Sequence, residues 1–259
     1  MRIVALIKEV PDTYGERKLD LETGLADRSA SETVLDEICE RAVEAALKLA
    51  EDDPEEVEVH VMSMAPESAT ATIRKGLAMG AAAAVQVTDP ALLGADLSLT
   101  AEVLAKAIER EGYDLVIAGN LSTDGNSGLL PTMISEWLDF PHLTQLTSLE
   151  LDGATISGTR PTDDGVEKLK ATLPAVISIT ESFPNGRFPN FKGIMAAKKK
   201  PTTTLSLADL GIDAEDFSVP RAIMTEVSKA PPRAAGVKVT DDGDAARQLV
   251  DFLAQNRLI

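Results

Sequence analysis

YDLVIAGNLSTDGNSGLLPT, residues 113–132, decides how the rest of this chain is read. Asp114–Ala118 is a short apolar run of the kind that forms a buried parallel strand. It passes straight into Gly119, Asn120, Leu121, Ser122, Thr123, Asp124, Gly125, Asn126, Ser127 and Gly128, small and polar apart from one leucine. Leu129 and Leu130 lead to Pro131, which a helix tolerates in its first turn, and Met133–Leu138 continues as that helix. A strand, a glycine-containing loop and a helix N-terminus in succession form an anion cradle. Backbone N–H groups point outward, the helix dipole favours negative charge, and glycine lets a ligand come close. The spacing is neither the dinucleotide fingerprint nor a P-loop, because no Gly-Lys-Ser/Thr follows. An ordinary strand-to-helix connection has the same outline; the length and polarity of this one favour a phosphate or nucleotide.

Upstream, strands and helices alternate. Arg2–Ile7 is a buried-strand run, and Lys8–Tyr14 is the loop at its carboxyl end, the edge where open α/β sheets bind ligands. Leu19–Ser31 reads as irregular. Leu35, Ile38, Ala42, Ala45, Ala46 and Leu49 form a helical stripe, Val57–Met64 a strand, Glu67–Met79 a helix ending at Gly80, Ala84–Val87 a strand and Leu97–Ile108 a helix. This alternation predicts an α/β fold with a doubly wound, mostly parallel sheet. Downstream, Thr147–Leu151, Ala154–Thr159 and Gly165–Ala171 alternate like antiparallel strands, so a β-meander is inserted before Leu173–Ile179 returns as a buried strand.

Composition bounds the function. The 259 residues carry 25 basic and 42 acidic side chains, a net charge of −17, which argues against a nucleic-acid backbone as partner. No apolar run has membrane-spanning length and no signal-peptide pattern opens the chain, so a cytoplasmic protein without membrane insertion is expected. The single Cys39 cannot form an intrachain disulfide. His60 sits in an apolar strand and reads as a core histidine; His142 follows Pro141 in a loop with no second ligand nearby, so no metal site is expected. No Ser-His-Asp set, paired carboxylates or HExxH occurs. The expectation is a binding protein rather than a self-contained enzyme.

Two later stretches stand out. In Ser182–Lys200, Pro184, Gly186, Pro189 and Gly193 deny regular structure, yet Phe183, Phe188, Phe191, Ile194 and Met195 make the loop partly apolar, and it ends in Lys198-Lys199-Lys200. It is either a docking surface or a loop packed home onto the sheet. After Pro201 the chain is short-ranged and polar, Pro231–Lys238 reads as an extended linker, and Ala245–Leu258 is an amphipathic helix with Leu249, Val250, Phe252, Leu253 and Leu258 apolar. The expected organisation is a nucleotide-binding domain over residues 1–200 and an arm over 201–259 that packs on another subunit.

With these stretches in place, the chain resembles the β subunit of an electron-transfer flavoprotein nearly end to end. The resemblance runs through VALIKEVPD (4–12), DEICERAVEAALKL (36–49), TIRKGLAMGA (72–81), AGNLSTDGNSG (118–128), WLDFP (137–141) and LPAVISI (173–179). Its most specific piece is RFPNFKGIMAAKKK (187–200), an Arg-aromatic start leading through Ile-Met into a lysine run.

The resemblance implies a heterodimer with an α subunit that holds most of the redox FAD. Such a pair carries electrons from acyl-CoA or other flavin dehydrogenases to a quinone oxidoreductase or similar acceptor. It implies a structural AMP in this subunit at Leu6, Thr33–Asp36, Met64 and Gly119–Leu130, thus at Asn120, Ser122, Thr123, Asp124, Gly125, Asn126, Ser127, Gly128 and Leu129. Electron-bifurcating relatives place a second FAD there instead. Gly125-Asn126-Ser127 replaces a more polar family run, and Tyr14 is offset by one residue from a tyrosine that some relatives set beside the isoalloxazine. In the family's recognition loop one bulky apolar residue enters a dehydrogenase pocket. Phe191 falls there, flanked by Phe188, Ile194 and Met195, with Lys198 and Lys199 attracting the partner at encounter. Ala196 replaces a lysine that other members methylate. Two other classes stay open: a stand-alone stress-protein-like ATP/AMP binder, which has no use for the aromatic-lysine loop or the long tail, and a nucleotide-dependent enzyme, for which only Asp124 is at hand near the loop.

Overall fold

Apolar runs bounded by turn residues fold as a doubly wound sheet. The computed structural model describes residues 1–52, 56–233 and 235–259; Ala234, within the Pro231–Lys238 linker reading, lies outside the described residues. In chain order the first half contains β1 (Arg2–Leu6), β2 (Glu9–Pro11), β3 (Thr33–Leu35), α1 (Glu37–Asp52), β4 (Glu58–Met64), α2 (Thr70–Met79), β5 (Ala83–Val87), α3 (Leu97–Glu111), β6 (Leu115–Gly119) and α4 (Leu130–Leu138). The second half contains β7 (His142–Leu146), β8 (Ser148–Asp152), β9 (Thr155–Thr162), β10 (Gly165–Thr172), β11 (Ala175–Ile179), α5 (Phe191–Ala197), β12 (Thr202–Leu205), α6 (Leu207–Leu210) and α7 (Ala245–Gln255).

Seven strands form the central sheet in the order β12-β5-β4-β1-β6-β11-β7, and every pairing in it is parallel. Side chains alternate across it. Ile3, Ala5, Leu115, Ile117, Ala175 and Ile177 pack with Ala42, Val43 and Ala46 of α1 and Ile73 and Leu77 of α2. Val4, Leu6, Val116, Ala118 and Val176 pack on the other face with Val103, Leu104 and Ala107 of α3 and Ile134 of α4. Burial on both faces explains why the central strands read as unbroken apolar runs. The chain moves outward from β1 to β4 and β5, then crosses back to β6 on the other side of β1. The switch point therefore lies between the carboxyl ends of β1 and β6. The expected doubly wound sheet is present, and β8–β10 form the expected antiparallel meander.

Local signals set the helix ends. The Asp96 side chain caps α3 by accepting from Leu99 N–H at 2.8 Å, and Gly112 closes that helix in the left-handed region at φ +71°.

The structure corrects three local readings. His142 opens the edge strand β7 instead of lying in a loop, pairing with Val176 of β11. Residues 191–197 form a helix despite the flanking prolines and glycines, because Asn190 caps it by accepting from Gly193 N–H at 2.8 Å. Thr202–Leu205 is not broken-up chain but the other edge strand, paired with β5, as its β-branched run permits. Residues Met1–Thr225 form one compact unit; Glu226–Ile259 forms a second, whose helix α7 has no buried residue.

Candidate nucleotide site and the 187–200 segment

The loop between β6 and α4 sits at the switch point, and side chains from remote parts of the chain converge on it. Asp124 accepts from Lys8 Nζ at 2.7 Å and from Arg28 at 3.1 Å. Ser122 Oγ accepts from Lys8 Nζ at 3.3 Å and from Gly125 N–H at 3.1 Å. Arg17 donates to the Thr123 carbonyl. Asp36, in the turn before α1, is 1 % exposed; its Oδ2 accepts from Thr123 N–H at 2.9 Å and Oγ1 at 3.3 Å. Its other oxygen, Oδ1, is buried without a hydrogen-bond partner among the described residues. The loop turns at Asn126 and Gly128, both at positive φ (+49° and +65°). Helix α4 then begins at Leu129 with no side-chain cap, leaving first-turn N–H donors at the loop's end.

The two carboxylates titrate in opposite directions. Burial pushes Asp36 above the usual carboxylate range, outweighing its hydrogen bonds from Thr123 and the pull of the Ile38 N–H at the start of α1. Burial also pushes Asp124 up, but the hydrogen bond and charge of Lys8, the Ser122 hydroxyl and Arg28 overcome it and bring the group down to about 2. A carboxylate depressed in the folded state adds stability above its unfolded pKa and loses that contribution as pH falls towards its folded value. Asp124→Asn is therefore expected to cost about 1–2 kcal/mol at neutral pH, discounted for the half-exposed cations, with the gap from wild type closing between about pH 5 and pH 2. Urea unfolding of both proteins across that range checks it. A gap that stays constant to pH 2 excludes Asp124 as the titrating group.

Around the loop, Leu6 and Met64 end β1 and β4, and with Leu130 they belong to one apolar cluster beneath the site. Thr33 lies in β3, which forms a two-stranded ribbon with β2. Gly119 is where α1 comes closest: a Cβ there would lie 2.7 Å from both Cγ1 and Cγ2 of Ile38. Leu6, Thr33, Asp36, Met64 and residues 119–130 thus gather at one sheet edge. Tyr14 does not pack among them; it is 99 % exposed, in a turn where its N–H donates to Asp12.

The 187–200 segment is elsewhere. It lies over α1 and the C-terminal half of α2, towards the amino edge of the sheet. Arg187 binds Glu44 through its backbone N–H (3.1 Å), Nε (2.7 Å) and a terminal nitrogen (3.0 Å), and reaches Glu51 at 2.8 Å. Burial raises Glu44, and Arg187 more than reverses it, holding the carboxyl below its ordinary value. Gly193 lets α5 press onto α2, since a Cβ there would lie 2.5 Å from the Ala78 carbonyl oxygen. Lys200 donates to the Leu77 and Ala81 carbonyls at 2.8 and 2.6 Å, capping the end of α2, and burial depresses its ammonium. Outside this anchored base, Phe188 is 95 % and Phe191 79 % exposed, and Ile194, Met195, Lys198 and Lys199 are exposed with them. Phe191, Ile194 and Met195 share one helix face by their i, i+3, i+4 spacing.

Sequence reasoning does not select Lys8, Arg17 or Arg28. Lys8 has a weak signal, a cation immediately after a buried strand, whereas the two arginines lie in a stretch without periodicity. Among the described residues no cluster of three potential metal ligands occurs, and no helix is long and apolar enough to cross a membrane.

Comparison with known proteins places these features. Residues 23–210 match the family model described as Electron transfer flavoprotein domain. The chain is 48 % identical to the Electron transfer flavoprotein subunit beta of Mycobacterium tuberculosis, with 99 % of each chain covered. It is 32 % identical to the protein of the same name in Bacillus subtilis, covering 98 % of this chain and 97 % of the relative. It is also 32 % identical to the Caffeyl-CoA reductase-Etf complex subunit CarD of Acetobacterium woodii, with both chains covered throughout.

Proposed function

The chain belongs to the electron transfer flavoprotein β-subunit family, and from that premise we propose that it is the β half of a heterodimer. It receives electrons from flavin dehydrogenases, passes them to a quinone oxidoreductase or similar acceptor, and holds an AMP at residues 119–130. FAD, bound mainly by the α subunit, supplies the redox chemistry. This chain supplies binding, orientation and docking.

The observation that supports a nucleotide most directly is the buried Asp36 Oδ1, which has no well-formed hydrogen bond among the described residues, on a side chain held by the same loop that leads to an uncapped helix N-terminus. A buried carboxylate oxygen without a partner is costly, and a ribose hydroxyl or adenine amine is the donor that would relieve it. The free N–H groups at the start of α4, with the Lys8 and Arg28 charges nearby, suit a phosphate. Met64 and Leu130, partly buried over the core residue Leu6, offer an apolar surface to a flat base. The donor set therefore fits an adenine mononucleotide. Asp124, tied to two cations, balances the charge of the loop and has no proton-transfer task in this reading.

The α partner's seat is the role proposed for α7, whose Leu249, Val250 and Phe252 are exposed. The test is to co-express the chain with its α partner, denature the purified complex and quantify released nucleotides by mass spectrometry. One FAD and one AMP per heterodimer are expected. Two FAD without AMP would give residues 119–130 a redox cofactor, and a chain that purifies alone with ATP would overturn the assignment.

A further inference from the structure

Among the described residues, four non-glycine positions have positive φ: Asn126, Asp139, Gln145 and Arg257. Asn126 lies in a loop, Asp139 caps α4 and Arg257 follows α7; only Gln145, at φ +61°, sits inside a strand. Left-handed backbone is free for glycine and tolerable for asparagine, but strained for glutamine. Nothing about the backbone of β7 asks for glutamine.

The side chain does. Between Ile177 and Ile179 the register of β7 on β11 slips, and the Gln145 N–H leaves the ladder to donate to the buried Ser178 hydroxyl at 3.0 Å. The bulge turns the glutamine inward, past the end of β11, where its Oε1 accepts from Asn120 Nδ2 at 3.1 Å. Asn120 is the first residue after β6, 9 % exposed, and its N–H donates to the Ile179 carbonyl at 2.8 Å. Three strand ends are thereby tied at one side chain, and that side chain begins the loop at residues 119–130. Bulges and strained residues gather where a side chain must be re-aimed.

We propose that Gln145 is a positioning residue for this loop: held in a strained bulge by Ser178, it fixes Asn120 and so sets the course of the backbone that meets the nucleotide. The proposal rests on the nucleotide reading above.

Its test uses the heterodimer stripped of bound nucleotide, with AMP itself as the probe. Gln145→Gly relieves the backbone and deletes the amide. Gln145→Asn keeps a backbone-compatible amide that is one methylene short of Asn120. Relief of the strained backbone offsets the hydrogen bond lost at Asn120, so both variants are expected to melt within a few degrees of wild type while binding AMP roughly five- to tenfold more weakly. Because Gln145 acts through Asn120, Gln145→Gly added to Asn120→Ala is expected to weaken binding no further than Asn120→Ala alone. Unchanged AMP affinity overturns the proposal, and so does a fall in melting temperature of about 10 °C or more that accompanies the loss, or additive losses in the double variant. If the wild-type heterodimer binds no AMP, the nucleotide reading itself fails, separately from any variant.

Discussion

Replacing Phe191 with alanine is expected to slow reduction by the cognate dehydrogenase by roughly 30- to 150-fold at limiting concentration, with heterodimer assembly and cofactor content unchanged. That range corresponds to about 2–3 kcal/mol, typical of an aromatic anchor at the centre of a small interface. Two features of the fold support so large a figure. The ring stands 79 % exposed on a helix face with the half-exposed Ile194 and Met195, an apolar patch left open among the described residues. The helix beneath it is fixed in advance. Arg187 binds Glu44 and Glu51, Gly193 sits against the Ala78 carbonyl, and Lys200 caps α2. A pre-positioned anchor loses little entropy on binding, so more of its burial appears as affinity. Electron-transfer complexes are small and short-lived, and few other contacts remain to compensate. Stopped-flow reduction of the wild-type and variant heterodimers decides it. An unchanged rate removes Phe191 from the docking surface, and loss of the heterodimer would assign the residue to assembly instead.

Gly119→Ala is expected to lower both stability and nucleotide affinity. The added Cβ would meet the Ile38 Cγ1 methylene and Cγ2 methyl, each at 2.7 Å, where α1 crosses β6. Overpacking of this kind costs about 1–3 kcal/mol, or roughly 3–10 °C in melting temperature for a chain of this size. The site is affected as well, because Ile38 lies two residues after Asp36 and any retreat of α1 draws that carboxylate away from Thr123. Ile38→Ala removes the obstacle but costs stability of its own as a core truncation, so the penalty of Gly119→Ala is expected to be much smaller when measured in the Ile38→Ala background than in the wild-type chain. Differential scanning calorimetry of the stripped heterodimer, with AMP content measured alongside, tests both effects. A melting temperature within a degree of wild type would mean that α1 yields without cost.

Much of this architecture is legible in the sequence because the central strands are buried on both faces. β1, β6 and β11 are near-continuous apolar runs, β4 is mostly apolar, and the small-residue loop after β6 marks the switch point directly. The edge strands are not legible for the converse reason: β7 and β12 are exposed along one side, so HLTQL and TTTL carry no unbroken apolar signal. Helix α5 is hidden by Pro189 and Gly193, although Asn190 is a capping residue in plain view, and Gly193 serves close packing rather than a break. The cations of the candidate site are hidden by distance along the chain. Lys8 and Arg28 reach Asp124 across 116 and 96 residues, and no local pattern encodes such a pairing. Likewise the third lysine of the run at 198–200 looks like its neighbours in sequence, yet it alone is folded inward as a cap.

The loop at residues 119–130 lies at the carboxyl edge of the central sheet and the segment at 187–200 towards its amino edge, and among the described residues no side-chain hydrogen bond joins the two. Such spacing gives the chain two surfaces that can drift apart in evolution. On the proposed reading, a lineage can retune which electron donor it meets by changing the aromatic and lysine positions of one rim, while the other rim keeps its nucleotide. Substitutions more than about 10 Å apart without shared partners usually act independently, so on that reading a new docking specificity is expected to carry little penalty in nucleotide retention.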